Sequence, residues 1–120
     1  MKKETEILIV EDEVLSAMSL QQDLKRSGYR NSRYVTTGEA ALASLESGSV
    51  GIVIMDISLG GELSGVDIAR IISLNHKIPV ILASGYNYSD YKERIESLEN
   101  VYFLKKPVRK VELINLVESI

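Results

Sequence analysis

The chain has 120 residues, of which 45% are hydrophobic and 26% charged, a size that suits one domain with one core and a composition that excludes disordered and fibrous classes. Fourteen basic residues against seventeen acidic ones, for a net charge of -3, lack the basic excess that direct nucleic-acid binding would show. Without cysteine there is no disulfide and no thiolate metal site, which suits a reducing compartment and makes the cytoplasm the expected location; no apolar run has the length of a membrane span or a signal peptide.

Residues 1–5 read as a short N-terminal tail of a domain covering 1–120. Glu6-Ile7-Leu8-Ile9-Val10 is a short continuous apolar run, the pattern of a strand buried on both faces, and it ends in Glu11-Asp12-Glu13. Val14 to Ser27 then carries Leu15, Met18 and Leu24 on a helical repeat and stops at Gly28, a favoured residue just past a helix end. The acids ahead of this helix would sit at its positive end, which is a sufficient structural reason for Glu13. Asn31 to Val35 is a weaker strand. Thr36 and Glu39 have capping-box spacing ahead of a second helix carried by Ala40, Ala41, Leu42 and Leu45.

Ile52-Val53-Ile54-Met55-Asp56, bounded by Gly51 and by Gly60 and Gly61, is a third strand that delivers one carboxylate to its end. Gly65 to Ile72 predicts helix 3, with Ile68, Ala69 and Ile72 on one face and Asp67 in solvent. Ile78 to Ser84 predicts strand 4, its Pro79 tolerated near the start. Tyr88, Tyr91, Ile95 and Leu98 form the apolar stripe of a thinly anchored helix 4, with His76 in an exposed loop before strand 4. Val101 to Lys105 is strand 5, Lys106-Pro107 interrupts it, and Leu113, Leu116, Val117 and Ile120 mark helix 5.

Five strand–helix alternations imply right-handed crossovers and a parallel sheet covered by helices on both faces, with ligands outside the carboxyl ends of the strands. Those ends carry Glu11 and Asp12, then Asp56, then Ser84, then Lys106. One pair of carboxylates about 4 Å apart costs about 4 kcal/mol at an effective dielectric of about 20, so something positive belongs among them. A hard divalent cation such as Mg²⁺ takes oxygen ligands of this kind, and Lys106 supplies a point charge. Metal, lysine and the Ser84 hydroxyl around one aspartate describe a site for transferring a phosphoryl group onto Asp56.

These residues resemble the receiver domain of two-component response regulators over essentially the whole chain: an acidic pair after strand 1, Asp56 after strand 3, Ser84-Gly85 after strand 4 and Lys106-Pro107 after strand 5. The resemblance implies a flavodoxin-like (βα)5 sheet of strand order 2-1-3-4-5. It also implies a signalling phosphoacceptor, rather than an enzyme, that assists its own phosphorylation and dephosphorylation. Asp56 would be the phosphoacceptor, Asp12 a direct Mg²⁺ ligand, Glu11 a ligand acting mainly through water, and the main-chain carbonyl of Ser58 a further ligand. Ser84 would contact the phosphoryl group, and Lys106, rather than Lys105, would pair with Asp56 and the phosphate across a cis Lys106-Pro107 peptide.

The implied partners are a histidine kinase or histidine phosphotransfer protein, with a homodimer or effector engaged through helix 4, strand 5 and helix 5. Phe103 stands at the aromatic position of the family's switch but has no hydroxyl to offer. Gly60 replaces a frequent proline, and the loop through Gly61-Glu62-Leu63-Ser64-Gly65 is about one residue longer than the usual turn. Tyr86, Tyr88 and Tyr91 cluster beside the switch, where Tyr91 reads as core packing of helix 4 and the cluster as a candidate partner surface. Two rivals stand beside this reading: a pseudo-receiver that binds partners without phosphorylation, whose expected loss of Asp56, an acid or Lys106 is not seen, and a haloacid-dehalogenase-like phosphatase, whose second acid is Ser58 here. With no effector domain following, a stand-alone receiver and one excised from a longer regulator or hybrid kinase are both expected forms.

Overall fold

The computed structural model describes residues 1–59 and 63–120. In chain order it contains β1 (Glu6–Val10), α1 (Val14–Arg26), β2 (Ser32–Val35), α2 (Gly38–Leu45), β3 (Val50–Asp56), α3 (Gly65–Ile71), β4 (Val80–Ser84), α4 (Lys92–Ile95), β5 (Val101–Lys105) and α5 (Lys110–Ser119). A π-helical turn, Ile72–His76, continues α3, and a 3₁₀ turn, Tyr88–Asp90, precedes α4. The strands form one parallel sheet in the order β2-β1-β3-β4-β5, the flavodoxin-like order that the resemblance implied. Gly60, Gly61 and Glu62, on which the loop expectations fall, lie outside the described residues.

The continuous apolar runs are explained by two cores, one on each face of the sheet. Leu8, Val10, Val53, Met55, Val80 and Leu82 pack beneath α2, α3 and α4, with Ala41, Ile68, Ile72 and Ile95. The alternate residues Ile7, Ile9, Ile52, Ile54 and Ile81 pack beneath α1 and α5, with Ala17, Leu24, Leu113 and Val117. Successive strand residues point to opposite faces, so a strand covered on both sides needs apolar side chains at every position. β3 meets that demand from Ile52 to Met55, and only at Asp56 does a charge enter.

Several local expectations are corrected. On α1 the buried residues are Ala17 and Leu24, with Leu20 partly buried, whereas Leu15 is 82% and Met18 49% exposed. Ala17 sits in the core beneath α1, and the helix end bears on the rotation of α1. Gly28 at φ +97° donates to Lys25 O, and the buried Tyr29 donates to Leu24 O, a Schellman closure that seats Leu24 and Tyr29 in the same core. The cap of α2 is Thr37, whose hydroxyl accepts from Ala40 N at 3.1 Å, rather than the expected Thr36–Glu39 pair.

Asp67 is solvent-exposed at its carboxylate, as expected, and is in addition the third-position member of a capping box with Ser64 at the start of α3. Helix 3 ends at Ile71, and His76 closes the half-buried π-helical turn rather than lying in an exposed loop. Strand 4 begins at Val80, after Pro79, which contributes only its carbonyl, accepting from Val53 N. The helix expected from Tyr88 to Leu98 is a 3₁₀ turn and one α-helical turn in which only Ile95 is buried.

Gly65 places α3 directly against the end of β3. A Cβ there would lie 2.6 Å from Ile57 Cα and 2.8 Å from the Asp56 carbonyl oxygen, both backbone atoms that cannot rotate aside. Gly65→Ala is therefore expected to destabilise the chain by about 1–3 kcal/mol, read as a fall in the urea midpoint with an unchanged slope.

Candidate functional site

The sheet order reverses between β1 and β3, so their carboxyl ends flank a crevice. Val10 pairs with Met55 in register, which sets the next residues, Glu11 and Asp56, side by side. Carboxylate oxygens of Glu11, Asp12 and Asp56 lie within 4.8 Å of one another. Asp56 is 7% exposed and Glu11 5%, while Asp12 faces solvent. β5 lies two strands away from β3, with β4 between them, and the chain beyond it brings Lys106 back over the crevice. The Lys106–Pro107 peptide there is cis.

Both oxygens of Asp56 are occupied. Lys106 Nζ donates to Oδ2 at 2.9 Å, and the main-chain N–H of Ser58 donates to Oδ1 at 2.9 Å. Lys106 also lies 3.8 Å from Glu11 Oε2, and Glu11 Oε1 accepts from the main-chain N–H of Glu13 at 3.1 Å. Lys105, the competing lysine, points elsewhere and donates to Asn87 Oδ1 at 2.7 Å. Ser84 is fully buried at the end of β4, opposite Lys105 in register. Its oxygen accepts from Tyr86 N at 3.0 Å and its hydroxyl is directed to Tyr91 Oη at 3.5 Å, so its hydrogen bonds are with the β4–α4 segment and not with Asp56.

The charge balance is strained. Burial pushes the Glu11 carboxyl up to about 7, opposed by the Glu13 N–H and reinforced by the neighbouring Asp56 charge. Burial alone would depress the Lys106 ammonium, but its hydrogen bond to Asp56 and the charges of Asp56, Glu11 and Glu13 hold it above the ordinary lysine value. One lysine thus pairs with both Asp56 and Glu11, and burial makes Glu11 harder to ionise. The cluster is all oxygen, buried on one side and open on the other, which is a donor set that could hold a metal ion. It opens into a cleft of about 620 Å³ that runs from Glu11 and Asp56 past Glu13, Ser16 and Leu20 to Val108.

Phe103 is half-buried on β5, with Tyr88 edge-on at 5.6 Å and Tyr91 at 6.2 Å between ring centroids. Two participants were missed from sequence. Glu13 read only as a helix-end acid, yet its N–H orients Glu11; its place directly after the acidic pair was the available signal. Tyr91 packs against the core as its spacing implied, and its hydroxyl in addition lies 3.5 Å from the Ser84 oxygen. Nothing in the apolar spacing separates those two roles, because the tyrosine ring satisfies the spacing either way.

Residues 7–118 match the sequence profile of the response regulator receiver domain. The chain is 29% identical over 112 residues to the transcriptional regulatory protein PdtaR of Mycobacterium tuberculosis, covering 93% of this chain and 54% of that protein. It is 32% identical over 113 residues to the regulatory protein VanR of Enterococcus faecium, covering 94% of this chain and 48% of that one. The chain therefore spans about half the length of these relatives. Among solved structures it is similar to the N-terminal domain of a three-domain response regulator/sensory box/GGDEF protein from Carboxydothermus hydrogenoformans, at 31% identity and a TM-score of 0.83, over 96% of this chain and 92% of that one. With the profile spanning nearly the whole chain and the sheet order matching, the chain belongs to the response regulator receiver domain family.

Proposed function

We propose that this chain is the phosphoacceptor of a two-component phosphorelay in the cytoplasm, taking a phosphoryl group onto Asp56 from a histidine kinase or histidine phosphotransfer protein, with Mg²⁺ as cofactor. The observation that carries the reading is a buried aspartate held at 2.9 Å by Lys106 Nζ, with oxygens of Glu11 and Asp12 within 4.8 Å. In the transfer, an Asp56 oxygen forms the new P–O bond as the P–N bond of a phosphohistidine breaks, and the imidazole nitrogen keeps the electron pair. Little covalent work falls to the protein in such a transfer, so positioning and charge neutralisation dominate.

Each residue then has a task. The Ser58 N–H and Lys106 fix the two Asp56 oxygens, and Lys106 stays beside the phosphoryl oxygens after transfer. Asp12, Asp56 and the Ser58 carbonyl would hold the metal directly, and Glu11 through water. When bound, the ion neutralises charge on the transferring oxygens. Ser84 donates its hydroxyl to the phosphoryl group, and the rearrangement passes through Phe103 to the surface of α4, β5 and α5, where a second copy or an effector would dock.

With acetyl phosphate or phosphoramidate and Mg²⁺, intact-mass measurement is expected to find one phosphoryl adduct, absent in Asp56→Asn. Lys106→Met should slow its appearance by about 100-fold, the scale for losing one preorganised charge donor. No adduct with small donors or with a phosphorylated phosphotransfer protein would leave an unphosphorylated interaction module as the better reading.

Glu11 generates a separate test. Its carboxyl is near 4.5 unfolded and about 7 folded, so the folded chain binds the extra proton, and stability is fullest below about 4.5 and falls as pH rises towards 7. Melting curves in chelator should show this fall in the wild type relative to Glu11→Gln. Mg²⁺ should raise the wild-type melting temperature more at high pH than at low, because the ligand must be ionised. Equal pH profiles for wild type and Glu11→Gln would contradict the assignment.

A further inference from the structure

The Ser84 hydroxyl is completely buried and already engaged. Its oxygen accepts from Tyr86 N, and its O–H is directed at Tyr91 Oη, 3.5 Å away. A serine hydroxyl has one proton to donate, so it cannot serve Tyr91 and a phosphoryl oxygen on Asp56 at once. At 3.5 Å the two oxygens are farther apart than in an ordinary O–H···O hydrogen bond, so the contact is loose and can be exchanged by a small rotation.

Tyr91 is itself held in place. It immediately precedes Lys92, the first residue of α4; its N–H donates to Tyr88 O, and its ring lies 6.2 Å from Phe103, which also receives the edge of Tyr88. Lys105 fastens the same segment from β5 through Asn87. Phe103 has no hydroxyl, so the strand 5 aromatic cannot be the hydrogen-bond partner of Ser84. The partner instead comes from the start of α4, on the opposite side of the same aromatic contact.

We propose that Tyr91 is the positioning residue for Ser84: its hydroxyl keeps the Ser84 proton directed into the β4–α4 segment until a phosphoryl group on Asp56 takes it, and that exchange releases Tyr91 from the site. This rests on the reading of Asp56 as phosphoacceptor. Breaking the Ser84–Tyr91 contact is then part of the barrier to phosphorylation, and the tyrosines from Tyr86 to Tyr91 are the first residues to register it.

Tyr91→Phe removes the hydroxyl and keeps the ring against Phe103. With acetyl phosphate and Mg²⁺, the variant is expected to acquire the Asp56 adduct about 2- to 5-fold faster than wild type, the lower part of the range for one hydrogen bond. In a Ser84→Ala background the same substitution should have no effect, a non-additivity that a purely structural role would not produce. An independent readout is the Tyr86 amide resonance without any phosphodonor: it should shift in Tyr91→Phe, and should not shift further when Tyr91→Phe is added to Ser84→Ala. A labelled wild type whose rate and Tyr86 resonance both ignore Tyr91→Phe overturns the assignment of Tyr91 alone, as does an equal effect in both backgrounds. A wild type that takes no phosphoryl group overturns the phosphoacceptor reading and this one with it.

Discussion

The structure depends on one lysine placed against three carboxylates. Glu11 and Asp56 are nearly buried, Asp12 lies beside them, and the charge within reach is the Lys106 ammonium, 2.9 Å from Asp56 and 3.8 Å from Glu11. Like charges this close are costly, and the chain offsets this in two ways: the lysine hydrogen-bonds one carboxylate, and burial raises the proton affinity of another. The result is a cluster of oxygens that could hold a cation. An arrangement that is uncomfortable alone and relieved by a ligand is common at functional sites, where perturbed ionisation marks the chemistry.

Everything else in the fold serves to bring those groups together. A parallel sheet aligns all its carboxyl ends at one edge, and the reversal of strand order between β1 and β3 opens the crevice where Glu11 and Asp56 meet. Lys106 is separated from Asp56 by fifty positions in sequence and reaches it only because β4 and β5 extend the sheet in register. Gly65 adds a close approach from α3, so the backbone around Asp56 is wedged between a helix start and the sheet. The surroundings of Asp56 are thus a property of the register of four strands.

The parts legible from sequence were those fixed by burial on both faces. β1, β3 and β4 announce themselves because Ile7 to Val10, Ile52 to Met55 and Val80 to Ala83 hold no polar residue, and the candidate residues Glu11, Asp56 and Ser84 stand directly after them; β5, Val101 to Leu104, is only partly buried and is followed first by Lys105, with Lys106 one residue further on. Their sheet order was not readable from spacing and came from the family resemblance. Helix rotation was less legible: Leu15 and Met18 fit a helical stripe as well as Ala17 and Leu24 do, and only the closure at Gly28 and Tyr29 decides between them. The α4 region was overread because Tyr88, Tyr91, Ile95 and Leu98 keep helical spacing while the two tyrosines turn onto Phe103 instead of extending a helix.

That weak helix has a mechanical consequence. α4 is a single turn with one buried side chain, Ile95, and the segment before it is held by the packing of Tyr88 and Tyr91 on Phe103 and by a few polar links: Ser84 to Tyr86, Ser84 to Tyr91, Lys105 to Asn87, and the Asn87–Asp90 cap. Elements with few buried apolar contacts open at low free-energy cost, and responsive elements are drawn from that end of the stability range. The opposite face, under α1 and α5, contributes Ala17, Leu24, Leu113 and Val117 to a closed core. Under the proposed function, a change at Asp56 that redirects the Ser84 hydroxyl would act on this segment, which Tyr86 and Tyr91 join directly to Ser84.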